Sequence, residues 1–153
     1  MRFINAIGVL LGLLLFAAIG VSAAEPPSGF RTFKWGAPPS SALKKFSAPT
    51  ADGVTIYVPA SGKTIPPLFE VQVSEEAYLF SKGKFYSGSA WLNGQGKFNK
   101  VKAALIKAYG QPSFVNERIS LWKWRWSGSQ IEVHLSYQEK FSRTTVTFVN
   151  NSI

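Results

Sequence analysis

The sequence predicts an α+β domain, a curved antiparallel sheet with two helices on one face in the order βαβββ-βαβββ. Period-two alternation of apolar and polar residues runs through residues 119–149. Phe98, Val101, Leu105 and Tyr109 recur at helical spacing. In each half a tryptophan, Trp35 or Trp91, stands shortly before a turn and a helical pattern, as an ancient duplication would leave it.

Residues 30–35 read as a short strand closed by Gly36, after which Pro38-Pro39-Ser40-Ser41 supplies the turn and N-cap of a brief helix through Leu43 and Phe46. Residues 54–59, 68–73 and 76–80 follow as strands, with Pro59, Pro66 and Pro67 suited to edges or loops. Lys82-Gly83-Lys84 is a hairpin turn into strand 85–92, which sets Phe85, Ser87, Ser89 and Trp91 on one face and Tyr86, Gly88, Ala90 and Leu92 on the other. The segment Asn93-Gly94-Gln95-Gly96 ends it, and a helix from near Lys97 stops at Gly110 and Pro112. Strands 119–126, 131–137 and 143–149 complete the chain, joined by Ser127-Gly128-Ser129 and a charged turn over 138–142.

Ahead of these elements, Arg2 and the apolar run from Ala6 to Gly20, ending in small residues, have the form of a secretory signal peptide cut after Ala24. The expected division is signal peptide 1–24, flexible N-terminus 25–29 and a single globular domain 30–153. The chain has no cysteine, so a lipidated signal and a disulfide framework are both ruled out and packing must supply the stability. No transmembrane segment is expected after cleavage, and the location is periplasmic or secreted. A net charge of +9 favours anionic neighbours, which outside the cytoplasm include lipid phosphates, envelope glycans and acidic proteins.

The Phe33-x-Trp35-Gly36 opening, the helix beginning Phe98-x-x-Val101 and its ending Ala108-Tyr109-Gly110-x-Pro112 resemble a group of small exported bacterial proteins of unknown function. The Gly-x-Pro ending is also similar to that of beta-lactamase-inhibitor-like and outer-membrane assembly-lipoprotein domains. The resemblance implies paired helices against a sheet and an envelope location, and it carries no catalytic residues across.

Catalytic patterns are sparse. His134 is the single histidine, sharing a strand face with Glu132 and Ser136. Neighbours on such a face are about 7 Å apart along the strand, which predicts no ready hydrogen bond between them. One histidine with Glu132 is too few ligands for zinc, and Asp52, the sole aspartate, is too little for calcium. Asn93-Gly94-Gln95-Gly96-Lys97 lacks the Gly-Lys-Ser/Thr ending of a phosphate loop. No catalytic residue, metal or cofactor is therefore expected.

Two surfaces remain. Trp122, Trp124 and Trp126 fall on one face of their strand, forming a stacking platform if exposed and a core stripe if not. Lys97, Lys100, Lys102 and Lys107 lie off the apolar stripe of their helix without an acid on it, a candidate anion-binding face. Because cations and indoles occupy opposite faces of strand 119–126, nucleic acid is disfavoured as a partner. The expected function is a noncatalytic exported envelope module that binds an anionic component or another exported protein. The alternatives are an inhibitor of another exported protein and a small carboxylate-dependent hydrolase.

Overall fold

The computed structural model describes residues 24–153. The signal peptide expected over 1–24 lies, but for Ala24, outside the described residues. The chain is predominantly β among the described residues, which corrects the expected α+β class: ten strands and one α-helix stand there, where two helices were expected.

The chain opens with a hairpin of β1 (Gly29–Phe30) and β2 (Phe33–Lys34), not the single strand expected over 30–35. A continuous strand would send Phe30 and Phe33 to opposite sides. The reversal, with Arg31 at φ 56, instead buries both rings against Tyr78, with ring centroids 5.5 and 5.2 Å away. Residues 25–29, expected to trail free, lie against the domain. Trp35 Nε1 donates to the Pro27 carbonyl at 2.8 Å and Trp126 Nε1 to the Ala24 carbonyl at 2.6 Å.

The helix expected through Leu43 and Phe46 is strand β3 (Leu43–Lys45), paired with β4 (Val54–Pro59). With only Leu43 and Phe46 as large apolar residues before Pro49, the segment offers too few turns to offset helix nucleation, whereas a neighbouring strand supplies backbone partners at once. The first βαβββ unit therefore does not form. Residues 68–73 are not a strand either: Leu68 and Val71 form an isolated bridge around a reversal at Phe69 and Glu70, φ 50 and 64. Arg31 fixes this loop by donating to the Pro67 and Pro66 carbonyls at 2.8 and 2.7 Å, while its Nε reaches Glu76 at 2.6 Å.

β5 (Glu75–Ser81) and β6 (Lys84–Asn93) extend the meander. Their pairing steps from Leu79 opposite Ser87 to Phe80 opposite Phe85, leaving Tyr86 as the extra residue of a bulge. The bulge turns Phe85 into the core beside Phe80, at 5.5 Å between ring centroids, and corrects the expectation that it shares a face with Ser87. α1 (Gln95–Tyr109) follows and ends at Gly110, φ 79, whose N–H donates to the Ile106 carbonyl at 2.8 Å.

A second meander contains β7 (Phe114–Asn116), β8 (Leu121–Arg125), β9 (Ile131–Gln138) and β10 (Arg143–Asn150). β7 has no alternation to reveal it, since Phe114 and Val115 are both exposed, and Ile119 belongs to a turn ahead of β8. The eight strands form one antiparallel sheet in the order β3-β4-β5-β6-β10-β9-β8-β7, so β6 and β10 join the two meanders. One face is covered twice. The β1–β2 hairpin lies over the first meander, and α1 lies over the second with Val101 and Leu105 fully buried. Phe148 touches both coverings, 5.3 Å from Phe30 and 6.5 Å from Tyr109 between ring centroids.

Candidate binding surface

Because side chains alternate across a strand, burying one face of β4–β10 turns the other outward. Among the described residues no helix or strand covers that second face. Strand register lays Phe114, Lys123, His134, Thr147, Ser89 and Ala77 across it in one row, with Leu121, Ser136, Thr145, Trp91 and Glu75 in the next. Ser89 and Thr147 hydroxyls meet at 2.9 Å across the central β6–β10 pair.

Glu132 holds two polar groups of this face in place, one on β8 and one on β9. Its Oε1 accepts from Arg125 Nε at 2.9 Å and its Oε2 lies 2.5 Å from His134 Nε2. This overturns the expectation that the Glu132–His134 spacing forbids a hydrogen bond. Their backbones are two residues apart, but the glutamate side chain is long enough to lean along the strand and close the gap. Partial burial opposes the charge on Glu132, yet the hydrogen bond with His134 and the charges of Arg125, His134 and Lys123 together hold its pKa below the usual carboxylate value. Glu75 has a looser partner in Arg143, 3.8 Å away.

At the β3 end the face deepens into a groove of about 710 Å³. Ile56, Val58, Ala77 and half-buried Trp91 form its apolar floor, with Lys44, Lys63 and Glu75 around it. Lys44 Nζ donates to Ser61 at 3.1 Å, and neither Lys44 nor Lys63 has an acidic partner among the described residues. Glu76 borders the groove only as part of β5, because its carboxylate points through the sheet to Arg31 and Tyr78. Neither the groove nor a binding role for Trp91 is among the expectations from the sequence. The alternation of Trp91 with small Ser87 and Ser89 was the available signal, and it named a face without saying which one stays bare.

The candidate site residues named from the sequence lie away from this face. Trp122 and Trp124 are buried beneath α1, Trp122 4.9 Å from Phe98 between ring centroids and Trp124 donating Nε1–H to the Gly110 carbonyl at 2.8 Å. Trp126 is half-buried against Tyr109, so these indoles form core rather than an exposed platform. The lysines of α1 separate into two sides. Lys97 donates to the Gln72 carbonyl at 3.0 Å, and Lys100 and Lys107 line a groove of about 730 Å³ with Phe69, Glu70 and Ala104. Lys102 stands apart, its Nζ 4.7 Å from the Trp122 ring. Among the described residues no three His, Cys, Asp or Glu side chains are grouped as metal ligands.

Comparison with protein-family models, curated proteins and solved structures finds no match to this chain. Fold and surface define it as an antiparallel β domain with one packed face and one bare, polar face. Among the described residues no helix is long and apolar enough to cross a membrane.

Proposed function

We propose that this is a noncatalytic, exported envelope module that binds an anionic component or another exported protein through the bare face of its sheet. The carrying observation is the groove beside Trp91. An apolar floor with a half-buried indole and two lysines without acidic partners offers both contact area and charge to a ligand. The same face disfavours the hydrolase alternative. Its two carboxylates, Glu75 and Glu132, are each paired with an arginine, and the lowered pKa of Glu132 is the opposite of what a general acid requires.

The test is capture of partners from an envelope extract on immobilised protein, comparing wild type with Trp91→Ala combined with Lys63→Gln. Loss of the captured component in the variant, with an unchanged melting curve, is the expected result. Capture that is identical for the two proteins defeats this assignment of the surface.

A further inference from the structure

Two hairpin tips carry the same four-residue pattern. Glu117-Arg118-Ile119-Ser120 joins β7 to β8 and Glu139-Lys140-Phe141-Ser142 joins β9 to β10, each running acid, cation, large apolar residue, serine. Their geometry repeats as well. Each is a short 3-10 turn closed by a serine in the left-handed region, φ 48 and 45, whose N–H donates to the glutamate carbonyl at 3.1 and 3.0 Å. Both turns push the apolar residue into solvent, leaving Ile119 60% and Phe141 63% exposed.

The tips lie at one end of the sheet. Tyr137 N–H, at the end of β9, donates to the Ser120 carbonyl at 3.1 Å, and Gly94 N–H, just ahead of α1, donates to the Ser142 carbonyl at 2.8 Å. The amino-terminal end of α1 is therefore beside them, with Lys97 in its first turn and Lys102 over Trp122 near the start of β8. Lys97, Lys102, Arg118 and Lys140 outnumber Glu117 and Glu139 in this region.

Large apolar side chains held outward on turns that each close through a serine in the left-handed region call for an apolar environment to receive them. The two stand on separate turns of the sheet. Each stands on its own turn with a cation next to it in sequence, an arrangement that suits a fluid apolar layer beneath a layer of phosphates. We infer that this end of the domain docks on an anionic lipid bilayer. Ile119 and Phe141 enter the acyl boundary, while Arg118, Lys140 and the neighbouring lysines of α1 meet lipid phosphates. The surface lies on the β7–β10 half of the sheet and is independent of the groove over β4–β6.

Co-sedimentation of the full chain with vesicles tests this, using an equal mixture of phosphatidylglycerol and phosphatidylcholine beside phosphatidylcholine alone. The readout is the ratio of the two affinities, since an apolar leader would bind both lipids alike. Wild type is expected to prefer the anionic vesicles, less so as salt rises. Arg118→Gln with Lys140→Gln should lower the anionic affinity by about fivefold per cation removed. Ile119→Ser with Phe141→Ser should weaken whatever binding salt leaves behind, and melting curves check that each variant is folded. If the apolar pair proves unstable, the charge pair decides. Equal affinity of wild type for the two vesicles, unchanged binding by the charge pair, or tips protected only by a protein partner and never by vesicles would overturn the inference.

Discussion

Glu76 has a side chain only 2% exposed and is bound from one side by Arg31, itself 15% exposed, and from the other by the Tyr78 hydroxyl at 2.7 Å. Removing one member of such a group leaves a buried charge without its counter-charge. Glu76→Gln is therefore expected to cost about 3–5 kcal/mol in denaturant unfolding, because Arg31 then stays buried and also loosens its hold on the Pro66–Pro67 carbonyls. The same group sets an alkaline limit. Burial, the hydrogen bond to Glu76 and the charge of Glu76 push the Tyr78 pKa far above its ordinary 10.0, against the opposing charge of Arg31. Burial also raises Tyr109. In the unfolded chain these phenols release protons near pH 10, whereas the folded protein retains them, so folding binds more protons and stability must fall as pH rises past that point. Melting temperatures measured between pH 8 and 11 should hold until about pH 10 and then decline. A Tyr78→Phe variant should show a shallower decline.

Close approach governs how the β1–β2 hairpin sits on the sheet. A Cβ at Gly88 would come within 2.1 Å of the Phe30 ring, so the hairpin packs where β6 has no side chain. Gly88→Ala should destabilise by about 1–3 kcal/mol, with Phe30 and the hairpin displaced, as thermal melting and amide exchange of residues 28–34 would report. The sequence made α1 legible because a four-residue apolar stripe ends at Gly110 with Pro112 beyond, and the cores of β4, β5, β6, β9 and β10 were legible from their alternation. It misread residues 41–46, where an apolar pair at helical spacing is too short a pattern to compete with strand pairing supplied by distant residues 54–59. It also misread residues 30–35, whose reversal depends on an ion pair to Glu76, 45 positions away. The binding face was hidden for a related reason. Alternation divides a strand into two sides, but only the placement of the hairpin and α1 decides which side is left bare.

The uneven positions of the α1 lysines give a graded expectation for the whole molecule. Changing Lys97, Lys100, Lys102 and Lys107 together to Gln preserves helix propensity, so the loss of stability should be confined to the Lys102–Trp122 contact and the exposed Lys97 hydrogen bond to the Gln72 carbonyl, about 1 kcal/mol or less for each. Binding to anionic vesicles should fall more steeply than stability, and the gap between the two measurements separates a docking role from a solvated helix face. An unchanged vesicle affinity with an unchanged melting curve would show that the charge serves solvation alone.

The central β6–β10 pair has a consequence for the order in which the protein is made. β10, which follows the other nine described strands in chain order, is not an edge piece but the strand that closes the gap between β6 and β9. Until it arrives, the first meander presents β6 and the second presents β9 as unpaired edges, both with a largely apolar inner side. A chain emerging amino-terminus first can form each meander by itself but cannot join the two into one sheet until β10 is free.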